Sequence, residues 1–113
     1  MALNKKNRLK NKRDFDDVFK KGRTIRGSFL FIKYLKNKLN LPRFGFIVSA
    51  KVAKRAVDRN KLRRILSEAV RGIIDDLGDY DIAVFAMGKI TDISKKDIVE
   101  DLLAVLKKIQ WKI

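Results

Sequence analysis

Three features of the 113-residue sequence predict an α+β fold. Short apolar runs rich in aromatic and β-branched residues (SFLFIKYL, RFGFIVSA, YDIAVFA) alternate with stretches whose apolar residues recur every three or four positions. Their order is helix, strands, helix, strand, helix. The middle helix therefore lies between strands, which allows a crossover in a mixed β-sheet with the three helices packed mainly on one face. With 46% hydrophobic residues, one proline (Pro42) and no repeat or Pro/Gly/Ser linker, residues 1–113 read as a single domain with one core.

Residues 1–10 are basic and polar apart from Leu3 and Leu9, and read as a partly ordered tail. The first helix follows. Asn11 suits its N-cap, Asp14 its first turn and Gly22 its end, while Phe15, Val18 and Phe19 at i, i+3, i+4 give it an aromatic face. Ser28 to Leu35 reads as a strand with Phe29, Phe31 and Lys33 on one face and Leu30, Ile32 and Tyr34 on the other. After a polar loop, Arg43 to Ala50 reads as its antiparallel partner, and Gly45 marks a bulge or a close backbone approach. From Leu62 a helical period runs through Ile65, Leu66, Ala69, Val70, Ile73, Ile74 and Leu77 to Gly78, with Asp58 as local N-cap. Tyr80 to Ala86 is a further strand. Ser94 caps a last helix with Asp97 in its first turn and Lys107, Lys108 and Lys112 near its end, where the dipole favours cations.

Charge is the dominant compositional signal. The chain has 28 Lys and Arg against 13 Asp and Glu, a formal net charge of +15. Residues 1–71 hold 22 basic and 5 acidic side chains (+17), whereas residues 72–113 hold 6 and 8 (−2). Self-repulsion of that size in one region is offset by a polyanion, and nucleic acid is the leading candidate. No apolar run can span a bilayer, no basic amphipathic helix with a broad apolar face is evident, and a soluble cytoplasmic protein without a membrane partner is expected. Cysteine and histidine are absent, which excludes disulfides, Cys/His zinc sites, cysteine nucleophiles and a histidine general base. The acidic pairs Asp16/Asp17, Asp75/Asp76 and Asp79/Asp81 fit helix surfaces, helix ends and turns better than a metal-holding cluster.

The segment Lys51 to Arg64 (KVAKRAVDRNKLRR) places seven basic residues and one acid at the mouth of the middle helix. Cations near a helix N-terminus cost roughly 0.3 to 1 kcal/mol each, while anions are favoured there. An arriving phosphate reverses that conflict, because exposed N–H groups, the dipole and guanidinium forks then act together. On a helical wheel Asn60, Arg64, Ser67 and Arg71 form one polar face, while Arg59 lies near the apolar stripe. Arg59 can be read as a structural arginine or as one projecting into a groove, and the whole run can also be read as a solvated basic face.

The pattern Ala56-Val57-Asp58-Arg59-Asn60-Lys61-Leu62-Arg63-Arg64 resembles the Arg-Asn-Arg signature of the protein component of bacterial ribonuclease P. Three further stretches are similar to the same family. Asn7-Arg8-Leu9-Lys10 with Asp14-Phe15, Val18-Phe19-Lys20 and Gly22 matches its opening helix, Arg43 to Ser49 with Lys51 the strand before the signature, and Tyr80 to Ala86 the late strand. Together they cover nearly the whole chain in order. Two positions depart from the pattern: Lys61 stands where Arg is usual, losing a bidentate fork, and Met87-Gly88 stand where Arg-Lys is common, removing charge.

The resemblance implies a fold like ribosomal protein S5 domain 2, with a left-handed crossover that handedness rules do not anticipate. It implies a subunit of the ribonucleoprotein that removes the 5′ leader of precursor tRNA, with the catalytic centre in the RNA subunit. Mg2+ would be coordinated mainly by the RNA and substrate, and no DNA partner is expected. Arg59, Asn60, Lys61, Arg63 and Arg64 would contact the catalytic RNA, with Lys51 and Arg55 in support. Phe15 and Phe19 would line a cleft for the single-stranded leader, joined by the face of SFLFIKYL that carries Ile32. Core packing is the other reading of both phenylalanines. A non-catalytic RNA-binding module, such as a ribosomal protein or RNA chaperone, would share the same basic helix mouth, and a helix-turn-helix DNA binder fits the strands poorly.

Overall fold

Alternation along a strand sorts side chains onto two faces, and the order of strands decides what each face meets. The structure is a computed structural model that describes residues 3–109. Its elements are α1 (Lys12–Lys21), β1 (Arg23–Arg26), β2 (Leu30–Lys36), β3 (Arg43–Ile47), α2 (Ala56–Arg71), β4 (Tyr80–Ala86) and α3 (Lys95–Lys107). The strands form one sheet in the order β1-β2-β4-β3. β2 pairs antiparallel with β1 and β4, and β3 pairs parallel with β4, so three helices and a mixed four-stranded sheet make the expected α+β fold.

The topology corrects the expected strand pairing. Arg43 to Ile47 does not pair with the preceding strand; β4 inserts between them, and the β3-α2-β4 crossover makes β3 its parallel neighbour. The short edge strand β1 has no counterpart in the sequence reading, because RTIR lacks an apolar run. α2 starts at Ala56 with Arg55, not Asp58, as N-cap, and it stops at Arg71 rather than near Leu77. Gly72 is the C-cap and keeps helical dihedrals, the chain leaves the helix at Ile73, and the apolar residues beyond continue into a 3-10 turn at Ile74–Asp76.

The terminal helices follow their local signals. Asn11 is the N-cap of α1, and the Gly22 N–H closes it by donating to the Val18 carbonyl at 2.9 Å. The Ser94 hydroxyl accepts from the Asp97 N–H at 3.2 Å to start α3. Lys112 lies outside the described residues. Asp101 on α3 also accepts the Ser28 and Phe29 N–H groups at 2.9 and 2.8 Å, tying the β1–β2 turn to the helix.

One sheet face carries Leu30, Ile32, Phe44, Phe46, Ile82 and Val84, which pack with Leu62, Leu66 and Val70 of α2 and Ile98, Leu102 and Leu106 of α3. Each such burial contributes roughly 1.5–3 kcal/mol. Ile32 is fully buried in this core, so Ile32 itself cannot line a cleft. The other face carries α1. There Leu9, Val18 and Ala83 are buried, with Phe15, Leu35, Ile47 and Phe85 packed around them.

The basic N-terminal segment is seated on the sheet. Leu3 and Leu9 are buried, the Asn7 side-chain amide donates to the Pro42 carbonyl at 2.8 Å, and the Leu9 N–H donates to the Phe44 carbonyl at 2.9 Å. Arg8 forms a parallel bridge with Phe44, so this segment covers the outer edge of β3.

Candidate nucleic-acid interface

On the α1 side of the sheet, side-chain size shapes a trough. Gly45, Ala83 and Lys33 share one cross-strand row, and the Phe15 ring occupies the space that a β-carbon at Gly45 would take. The expected close approach at Gly45 is thus realised. The next row is Ile47, Phe85 and Phe31. Phe31 and Phe85 stack with centroids 4.6 Å apart and planes 3° apart, Phe19 lies 5.5 Å from Phe85, and Phe15 lies 5.9 Å from Phe19.

These four rings make a continuous run from α1 across β4 to β2. Phe19 is exposed and the other three are half-buried, so none is sealed as core. Register places Arg26 beside Phe31 and Thr24 beside Lys33, which sets two cations along the run. Arg26 also reaches Met87, whose sulfur lies 3.8 Å from its Nη2. The outward face of β2 is therefore the one with Phe31 and Lys33, replacing that of Ile32. Phe31, Phe85, Lys33 and Arg26 were missed. Period-2 alternation separates the two faces of SFLFIKYL but carries no sign of which one α1 covers.

α1 is held over this trough by an ion network at its N-terminal end. Arg43 on β3 donates to both oxygens of the nearly buried Asp81 at 2.8 and 2.6 Å and to Asp14 of α1 at 3.2 Å. The Asn37 amide also donates to Asp81 at 2.9 Å. The hydrogen bond to Asp81 is the main cause that raises the Arg43 pKa above its usual value, so this guanidinium stays charged.

The basic segment leaves the sheet where the aromatic row ends. Ile47 pairs with Phe85, and the chain then runs from β3 through residues 48–55 into α2. Lys51, Arg55, Asn60, Lys61 and Arg64 are exposed, while Arg59 and Arg63 are half-buried. Arg59 Nη1 donates to the carbonyls of Ala53 and Lys54 at 2.9 and 2.8 Å, bracing the loop and leaving Nε and Nη2 without a partner among the described residues. Arg63 donates to the Asn60 Oδ1 at 2.8 Å, and the Asn60 amide nitrogen has no partner among the described residues. Arg64 and Lys51 have no acidic partner among the described residues.

Two expectations change here. The helix starts at Ala56, three residues before the start that an Asp58 cap implies, so the first turn holds Asp58 and the unfavourable dipole acts on Lys54 and Arg55 rather than on Arg63 and Arg64, which lie about two turns in. Asp58 accepts from Arg55 at 2.9 and 3.2 Å, and this bond holds its carboxyl below the usual range and the Arg55 pKa above its own. Ser67 is fully buried, with its hydroxyl donating to the Arg64 carbonyl at 3.1 Å, so the polar ladder stops at Arg64 and Arg71 stands alone.

Comparison with known proteins decides the family. The family model for ribonuclease P matches residues 3–110. The chain belongs to the ribonuclease P protein family. Ribonuclease P protein components of Fusobacterium nucleatum (40% identity, 89% of this chain and 95% of the relative) and Syntrophomonas wolfei (36%, 94% and 89%) are similar along nearly their whole length. So are solved structures of the ribonuclease P proteins of Staphylococcus aureus (TM-score 0.85, 30% identity, 89% of this chain and 93% of that one) and Thermotoga maritima (0.83, 30%, 91% and 97%). As a ribonuclease P protein, this chain is a subunit of the enzyme that processes the 5′ leader of precursor tRNA. Among its described residues, no helix is long and apolar enough to cross a membrane, and no three acidic side chains gather to hold a metal.

Proposed function

We propose that the chain serves ribonuclease P through two adjoining surfaces. Lys51, Arg55, Arg59, Asn60, Lys61, Arg63 and Arg64 bind the catalytic RNA, and the run Phe15, Phe19, Phe85 and Phe31 receives the unpaired leader of precursor tRNA. The observation that carries this reading is their contiguity, since the last β3 residue, Ile47, sits beside Phe85 and leads directly into the basic segment. Cations match phosphates in either RNA, whereas half-buried rings suit unpaired bases, whose stacking is worth about 1–3 kcal/mol each. Phe15 supports the wall of the cleft through its seat at Gly45, and Phe19 and Phe31 present the accessible rings.

No three acidic side chains gather among the described residues, and we assign the Mg2+ of the reaction to RNA and substrate oxygens. The protein's part is to offset repulsion between two RNAs and to position the leader.

The test is cleavage of precursor tRNA by a bacterial ribonuclease P RNA at low Mg2+, with leaders of graded length. Wild-type protein restores cleavage. A Lys61→Ala/Arg64→Ala variant should need more protein for the same rate at every leader length. Phe31→Ala should lose roughly fivefold or more only when the leader is long enough to cross the sheet. An equal Phe31→Ala loss with and without a leader would remove the leader assignment. General RNA binding without any rescue of cleavage would leave a plain RNA-binding module.

A further inference from the structure

A second concentration of positive charge lies at the other end of the sheet. There a cavity of about 440 Å3 is lined by Lys21, Arg23, Lys36 and Lys108 together with Tyr34 and Tyr80. Register explains the grouping: Arg23 pairs with Tyr34 across β1 and β2, and Lys36 pairs with Tyr80 across β2 and β4. The tyrosine rings meet edge-on, 5.8 Å apart, and both are half-buried. The Phe31–Phe85 row is at the opposite end of β2, so neither surface proposed above includes this cavity.

None of the four cations is paired with a carboxylate among the described residues. Lys21 and Lys108 stand at the C-terminal ends of α1 and α3, where the helix dipole accounts for a cation. Arg23 on the edge strand also discourages pairing with another chain. Neither reason applies to Lys36 on an inner strand, and Tyr34 and Tyr80, which pack against the core, also form part of the cavity wall. The cavity is open on one side, and its volume lies within the ~300–1,000 Å3 range of small-molecule sites.

We propose that this cavity binds an unpaired nucleotide of RNA, with its base against Tyr34 and its flanking phosphates on Lys21, Arg23, Lys36 and Lys108. An unpaired base is required because the faces of paired bases are stacked inside a duplex and cannot lie against a protein ring. The inference rests on the ribonucleoprotein role proposed above. Its nucleotide comes either from the catalytic RNA or from the precursor leader, and the test separates the two.

The chain has no cysteine, so a Lys36→Cys substitution carries a single photoreactive aryl azide. In the assembled holoenzyme with precursor tRNA, this label should crosslink to unpaired nucleotides. Mapping the adduct to the catalytic RNA or to the leader identifies the source. A Lys54→Cys label in the basic segment is the control. Crosslinking from residue 54 but not from residue 36, or from residue 36 to paired nucleotides alone, overturns the proposal and leaves the reading above standing. Silence from both labels overturns both. Crosslinking from residue 36 alone upholds the cavity and removes the basic segment from the interface. Independently, Arg23→Glu/Lys36→Glu should weaken binding to the RNA so identified by about tenfold, and Tyr34→Leu by roughly fivefold. Unchanged affinity in both variants, with unchanged melting, would also refute the site.

Discussion

At Gly45 a β-carbon would run into the Phe15 ring, so the missing side chain on β3 is what lets α1 lie close to the sheet. Gly45→Ala should force Phe15 aside at about 1–3 kcal/mol, the usual range for overpacking. Thermal melting measures that loss, and cleavage should fall more for substrates with long leaders than for leaderless ones. Asp58 gives a second test. It occupies Arg55, so Asp58→Asn should free that guanidinium and tighten binding of the catalytic RNA about two- to threefold. Because the Asp58 pKa is lowered in the folded state, the pairing is present above the ordinary carboxylate range and is lost as pH falls through the lowered value. Wild type and Asp58→Asn should therefore differ in RNA affinity near neutrality and converge in acid. At this scale the sequence showed which residue types matter, but not how they are engaged. Arg59 was legible as either a structural or a projecting arginine, and the structure gives Nη1 the first role while leaving Nε and Nη2 for the second.

The position of α1 depends on one ion network as much as on its apolar face. Arg43 serves Asp81 and Asp14 together, and its side chain is only 17% exposed. Asp81→Asn leaves that charge half-satisfied and should lower stability by about 2 kcal/mol, less than for a fully buried pair. Asp14→Ala removes the longer, more exposed contact and should cost under about 1 kcal/mol. Both variants loosen α1 over the trough, so denaturant melts should rank them, and leader-dependent cleavage should follow the same order. Helix caps at Asn11 and Ser94 and the period of α1 and α3 were legible because those signals are local. Strand order was not. RFGFIVSA looks the same whether it pairs antiparallel with β2 or parallel with β4, and only the crossover through α2 selects the latter. β1 was invisible because an edge strand of four residues has no apolar pattern to display.

For the whole molecule, the division of charge at Arg71 was legible in the sequence, and the fold converts it into geometry. The basic segment and the aromatic run meet at one end of the sheet, while the lysines and Arg23 around the tyrosine cavity stand at the other. Electrostatic and stacking contributions should then separate by salt dependence. Each single-strand phosphate neutralised adds about −0.7 to the slope of log K against log salt, and each duplex phosphate about −0.9. A Lys51→Ala/Lys54→Ala/Arg64→Ala variant should make the slope for the catalytic RNA shallower by roughly 2 to 3 units. Phe31→Ala should weaken leader binding yet leave the slope of that binding unchanged, because a ring releases no counterions. The same logic sets the metal dependence. On the proposed reading Mg2+ and the protein both offset repulsion between the RNAs, so the rate enhancement by the protein should be largest at low Mg2+ and shrink as either Mg2+ or monovalent salt rises. An enhancement independent of both ions would mean that shape, not the charge gathered in residues 1–71, brings the two RNAs together.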